Sequence, residues 1–104
     1  MTQYGVLISN RDTGEDLAVL VLDPSGMLVA SSLTKKIHPY SVMKFIDRVL
    51  DQPVYRKHAD VLARDKALSP ELTKAETECI ADLINDELIT LGGIPVMAHS
   101  GQRG

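Results

Sequence analysis

The chain has 104 residues, a mass of 11.4 kDa and a hydrophobic content of 44%, which suits one small packed domain. Aromatic residues make up only 4%, so the core must be built mainly from aliphatic side chains. The formal net charge of -3 disfavours a protein whose whole surface binds nucleic acid, because phosphate contacts need a strong positive field. The single cysteine, Cys79, excludes an intramolecular disulfide and a multi-cysteine zinc site.

Three strands are predicted in the first third of the chain. Tyr4–Ser9 and Met27–Leu33 are rich in β-forming residues, and Leu17–Leu22 is apolar at every position. The sequence Asp23-Pro24-Ser25-Gly26 is typical of a tight turn between the second and third strands. A continuous apolar strand suits the centre of a sheet that is covered on both faces. Because the connections between these strands are short, we expect a small antiparallel meander of three strands.

Two or three helices are predicted in the rest of the chain. The first begins after His38-Pro39, and its apolar residues recur at helical spacing, namely Val42, Phe45, Ile46, Val49 and Leu50. A weaker helix is predicted over Val54–Leu68. The last begins at Ser69-Pro70 and ends at Gly92-Gly93, because glycine favours the left-handed stop. Its predicted apolar stripe comprises Leu72, Ala75, Cys79, Ile80, Leu83, Ile84, Leu88 and Leu91.

The predicted fold class is α+β, with the N-terminal meander packed against the C-terminal helices in a single domain over residues 1–97. Ile94–Met97 is predicted as a short edge strand, since proline is tolerated at sheet edges. Residues 98–104 are predicted to form a loose tail. Helices from one short chain cover one face of such a sheet well and the other poorly. We therefore expect a homodimer in which a second copy covers the remaining face.

Several kinds of chemistry are disfavoured by the spacing of the reactive residues. His38, His58, Cys79 and His99 are each about 20 residues apart, whereas helical metal ligands lie three or four residues apart, so we expect no metal or cofactor. The N-terminus lacks a basic leader region, and the apolar runs are too short for a membrane span. Together with the single cysteine, this favours a cytoplasmic location.

The triplet Asp12-Thr13-Gly14 resembles that of retroviral-type aspartic proteases, in which two chains each contribute one aspartate. In that family the aspartate directly follows an apolar strand and the fold is almost entirely β. Here the polar residues Ser9-Asn10-Arg11 precede the triplet, and helices are predicted later in the chain. We therefore interpret the triplet as a polar hairpin loop.

Charge is segregated along the chain and indicates the candidate interaction residues. Residues 35–70 contain eight basic and four acidic residues, whereas residues 71–104 contain two basic and six acidic ones. No catalytic constellation is present, so we expect a small non-catalytic protein–protein interaction or regulatory protein. The alternatives are a weak nucleic-acid-binding module that uses residues 35–66, and a small enzyme with a site at a dimer interface around Asp12 or Asp16. The candidate interaction residues are Lys44, Arg48, Arg56, Lys57, Asp82, Asp86 and Glu87.

Overall fold

A computed structural model describes the backbone of residues 3–23, 28–53, 55–56 and 70–103. This part of the chain contains five strands and two helices, in the order β1 (Gln3–Asn10), β2 (Asp16–Leu22), β3 (Leu28–Ser32), α1 (Pro39–Leu50), α2 (Pro70–Asp86), β4 (Thr90–Leu91) and β5 (Ile94–Arg103). The strands form one antiparallel sheet with the order β3-β2-β1-β5-β4. The predicted α+β class is confirmed, but the sheet has five strands rather than three.

The predicted meander is present as β1, β2 and β3. Residues 24–26 of the predicted turn and residue 27 of the predicted third strand lie outside the described part of the chain. The central strand of the sheet is β1 rather than Leu17–Leu22, because β5 pairs with the other edge of β1. This pairing extends over eight positions, from Gln3 opposite Arg103 to Asn10 opposite Val96. The expectation of a loose tail is therefore wrong for residues 98–103, which are part of β5.

The two faces of the sheet differ in what covers them. Val6 pairs with Leu20, and Ile8 pairs with Ala18, so these residues share one face, on which α1 and α2 pack. We call this the covered face, and its residues join the helices in one apolar core. The alternate residues point to the other side, on which neither of the two described helices packs, and we call it the open face. Its residues are Gly5, Leu7, Val19, Val21, Val29, Ser31, Leu33, Met97, His99 and Gly101, of which Gly5 and Val19 are nevertheless buried.

Helix α1 matches its prediction closely. It begins at Pro39, and the Tyr40 backbone N–H donates a 3.0 Å hydrogen bond to Nδ1 of His38, which acts as the N-cap. Val42, Phe45 and Val49 are buried in the core, while Ile46 and Leu50 are partly buried against it. The predicted helix over Val54–Leu68 lies mostly outside the described residues, although residues 55 and 56 have helical backbone.

Helix α2 begins at Pro70 as predicted but ends at Asp86, before the Gly92-Gly93 stop that the sequence suggested. The chain leaves the helix through Leu88, which has a φ of 50° and is 60% exposed. Gly92 and Gly93 instead form the two-residue turn between β4 and β5, with φ values of 58° and 82°. Two consecutive positive φ angles are what a tight hairpin of this length requires, so glycine is needed here for a hairpin rather than a helix end.

The buried side of α2 is rotated relative to the predicted stripe. Ile80 and Ile84 are fully buried and Leu83 is 7% exposed, as expected. Ala75, however, is exposed although it belongs to the predicted stripe, and Glu76, which does not belong to it, is buried. Asn85 lies beside the outer edge of β5, where its side chain exchanges two hydrogen bonds of 3.0 and 2.8 Å with the backbone of Ala98. The helix is thus held to the strand by polar as well as apolar contacts.

The packing of α2 predicts unequal effects for two similar truncations. Ile84→Ala should lower the free energy of unfolding by about 2–5 kcal/mol, because it leaves a cavity in a closed core. Leu88→Ala should change it by less than about 0.5 kcal/mol, because that side chain is exposed. Chemical denaturation of both variants measures the difference, and equal losses would contradict the orientation of α2.

Candidate interaction surfaces

The C-terminal half of α2 forms an acidic groove on the outside of the molecule. Its carboxylates are those of Glu78, Asp82, Asp86 and Glu87, all exposed. Its remaining lining is Ala75, Cys79 and Leu83, and the cavity has a volume of about 420 Å³. Glu78, Asp82 and Asp86 follow one another at intervals of four residues, so they share one side of the helix. The structure therefore brings together three of the predicted interaction residues and adds Glu78 to them.

This groove is electrostatically unfavourable for the helix that carries it. Like charges four residues apart destabilise a helix by about 0.2–0.5 kcal/mol per pair. Asp86 and Glu87 also lie at the C-terminal end, where the partial negative charge of the helix repels them, and the last turn contains no basic residue. Among the described residues, no cation forms an ion pair with any of these four carboxylates. The groove therefore presents negative charge that the fold itself does not use.

The predicted basic residues are more dispersed. Lys44 and Arg48 are exposed on α1, and Nζ of Lys44 lies 4.9 Å from the centre of the Tyr40 ring. Arg56 forms an ion pair with Asp51, and Lys57 lies outside the described residues. Arg48 lines a shallow groove together with Asp47, Leu50, Asp51 and Arg56, so acidic and basic groups alternate there. This part of the surface has mixed charge rather than a single positive face.

The β1–β2 loop contains the aspartate of the protease-like triplet. Oδ1 of Asn10 accepts hydrogen bonds from the backbone N–H groups of Asp12 and Thr13, at 2.9 and 3.2 Å. Gly14 has a φ of 76°, which closes the turn. Asp12 and Asp16 are both exposed, and Asp16 at the start of β2 accepts a 3.0 Å hydrogen bond from the hydroxyl of Ser9. Asp12 is therefore part of the hydrogen-bonded β1–β2 loop, and Asp16 is part of the first paired position of β1 and β2.

The open face contains a second cavity of about 420 Å³. Its floor includes Gly5 and Gly101, which lie opposite each other on β1 and β5 and have no side chains to fill the space. Leu7, Val19 and Leu33 supply apolar walls, and the polar lining consists of Asp16, His99 and Ser100. The sequence predicted that one face of the sheet is poorly covered, but it did not indicate this cavity, since Gly5 and Gly101 become neighbours only through the pairing of β5 with β1.

A buried cluster of titratable groups also escaped the sequence analysis. Tyr55 is 6% exposed and Glu76 is 2% exposed, and both lie near Cys79. Burial raises the pKa of Tyr55 to about 12, with smaller contributions from the negative charges of Glu76 and Cys79. Burial also raises the pKa of the Cys79 thiol, and Glu76 and Asp82 add to this effect. One signal was available, because Glu76 lies four residues before Ile80 and eight before Ile84, on the buried side of α2.

A raised thiol pKa makes Cys79 a poor nucleophile at neutral pH, because the thiolate is the reactive form. Within the described ranges, no group of three or more His, Cys, Asp or Glu side chains could hold a metal ion. No helix in the same part of the chain is long and apolar enough to cross a membrane.

Comparison with known proteins identifies no relative, since no family model, curated protein or solved structure matches the chain.

The raised pKa of Tyr55 predicts a specific loss of stability at high pH. The folded state holds the phenolic proton more tightly than the unfolded state, whose pKa is close to the ordinary value of 10.0. The stabilising contribution of this proton is therefore complete below about pH 10 and is lost as the pH rises towards about 12. Tyr55→Phe should remove this part of the alkaline decline in unfolding free energy.

Denaturation at several alkaline pH values measures this effect, and Tyr40→Phe is the matched control. The Tyr40 ring is 57% exposed, so that variant should keep the wild-type decline. An alkaline decline that is the same in Tyr55→Phe as in the wild type would show that Tyr55 is not buried in this cluster.

Proposed function

We propose that this chain is a non-catalytic protein–protein interaction protein that binds a basic partner through the acidic groove of α2. The observation that carries the proposal is the row formed by Glu78, Asp82 and Asp86, exposed beside Glu87 and unpaired with any described cation. The row imposes an electrostatic cost on its own helix. A surface that keeps such a cost is best explained by a ligand that neutralises the charge.

The lining of the groove specifies the chemistry of the partner. Carboxylates at intervals of four residues match lysine or arginine side chains that recur at the same spacing on a partner helix. The side chains of Cys79 and Leu83 add apolar surface between them. The partner that fits is therefore a basic amphipathic segment, which places cations on the rim and an apolar side chain on the floor.

The surface of α1 supports the nucleic-acid alternative less well. Its described cations lie among acidic groups, and Arg56 is already paired with Asp51. Affinity for phosphate depends on the number of cations that contact the backbone, so dispersed and paired cations contribute little. Lys44 and Arg48 remain exposed on one side of α1 and are the residues to change when this alternative is tested.

The test measures the binding of a fluorescently labelled peptide in which lysines recur every four residues and leucines lie beside them on the same side of the helix. A scrambled peptide of the same composition controls for charge alone, and labelled duplex DNA tests the alternative. We expect the patterned peptide to bind more tightly than the scrambled one. In Asp82→Asn/Asp86→Asn its affinity should fall at least about tenfold, which corresponds to about 1.4 kcal/mol.

Two controls separate loss of the site from other causes. Asp12→Asn/Asp47→Asn changes the net charge equally at two exposed positions outside the groove, and it should leave the affinity unchanged. Asp82→Asn/Asp86→Asn should itself be slightly more stable to denaturation, by about 0.5 kcal/mol, because it relieves repulsion within α2. DNA binding that is lost in Lys44→Glu/Arg48→Glu, without peptide binding, would contradict the proposal in favour of the nucleic-acid alternative.

A further inference from the structure

Four paired positions form a row across the open face. Two valine side chains project from the sheet at one end, which we call the raised end, and two glycines leave the other end, the bare end, without side chains. Val29 on β3 lies opposite Val21 on β2, Val21 lies opposite Gly5 on β1, and Gly5 lies opposite Gly101 on β5. Two valines are thus followed by two glycines across four adjacent strands. Strands in a sheet are about 4.8 Å apart, so the row is about 14 Å long from its first to its last residue.

The two ends of this row are accessible to a second molecule, since Val29 and Gly101 are exposed, whereas Val21 is half-buried and Gly5 is buried. Val29 is 39% exposed at the raised end. At the bare end, a Cβ atom added to Gly101 would meet no atom within 4 Å, and Gly101 does not have the positive φ that would require glycine. The absence of a side chain at this position is therefore not demanded by the backbone or by packing within one chain.

We propose that the open face binds a second copy of this chain, and that the valine half of the row in each copy packs on the glycine half of the other. A two-fold axis that runs parallel to the strands, between β1 and β2, produces this arrangement. It places β2 of one copy over β1 of the other, and β3 over β5. Two sheets packed in this way have nearly parallel strands and interdigitated side chains, as in a β-sandwich.

Charge and area are both compatible with a second copy as the occupant. Among the described residues, Asp16 is the only Asp, Glu, Lys or Arg that lines the cavity on this face, so two identical faces can approach there with little repulsion. Four strands of about five residues present roughly 300–400 Å² in flat projection per copy. Projecting side chains enlarge this flat area, so the total surface area buried by the two copies approaches the lower limit of about 1,000 Å² for a specific interface. The dimer should therefore be weak and depend on protein concentration.

Sedimentation equilibrium over a range of concentrations tests the association, and we expect the mass to rise from 11.4 kDa towards twice that value. Val29→Lys should prevent this rise, because it buries a charge in the interface. Met43→Lys is the matched control, since Met43 is 62% exposed on α1 and should not affect the dimer. A wild-type chain that stays monomeric over the whole concentration range would overturn the proposal.

Exchanging the valine and the glycine distinguishes specific packing from general stickiness. Gly101→Val should weaken the dimer at least tenfold, because valine would then face valine, although the change adds apolar surface. Val29→Gly should weaken the dimer because it leaves a cavity in the interface. Val29→Gly/Gly101→Val should restore association, because each valine again faces a glycine in the other copy. Thermal unfolding of each variant confirms that the monomer is folded.

Stronger association of Gly101→Val than of the wild type would overturn the proposal, because it would show that added apolar surface, rather than the matching of valine with glycine, drives association. Failure of the double variant to associate, when it is folded, would overturn the proposed two-fold arrangement. The outcome does not depend on the acidic groove, which lies on the helical side of the sheet. Peptide binding and self-association can therefore fail separately.

Discussion

The pairing of β1 with β5 is the interaction on which the rest of the structure depends. It joins residues that are up to 100 positions apart in the chain, from Gln3 opposite Arg103 to Asn10 opposite Val96. The loop entropy of bringing such distant segments together is large, and it is offset only when a long register forms and its apolar side chains are buried. Val6, Ile8, Val96 and Ala98 provide that burial, since each is at most 3% exposed.

This pairing also determines where the two proposed surfaces lie. Because β5 follows α2 and returns to β1, α2 is held across the covered face and exposes its acidic side to solvent. The strict alternation of a strand then directs Leu7, His99 and Gly101 to the opposite side of the sheet. One surface is therefore highly charged and the other is largely apolar. They differ in the chemistry that they present, and they lie on opposite sides of the sheet.

The sequence predicted those helices and strands whose residues follow a local pattern. Helix α1 could be predicted because Pro39 and the spacing of Val42, Phe45 and Val49 agree, and the meander could be predicted from its apolar runs. The first part of β5 was predicted as the edge strand Ile94–Met97, although β5 lies between β1 and β4. Its second half could not be predicted, because it contains His99, Ser100 and Gly101, which have little intrinsic preference for strands. Its conformation comes from the partner strand. The same long-range pairing creates the row of valines and glycines, so that site was also invisible in the sequence.

For the acidic groove, the sequence provided the charges but not their arrangement. Asp82, Asp86 and Glu87 could be selected from charge segregation alone, but the boundary between exposed and buried acids depends on the rotation of α2. The burial of Glu76 was not predicted, because charged residues are rarely buried, although its helical register with Ile80 places it on the buried side of α2.

Hydrogen–deuterium exchange in the C-terminal residues tests most directly whether the two ends of the chain are paired. The backbone of Ala98 bonds to Asn85, so the antiparallel pattern directs the amides of Met97, His99 and Gly101 towards β1 and that of Ser100 away from it. Slow exchange at positions 97, 98, 99 and 101, with fast exchange at 100, is the result that this account predicts. Uniformly fast exchange from position 97 onwards would contradict it, because the C-terminal residues would then be a free tail and the open face would lack its fourth strand.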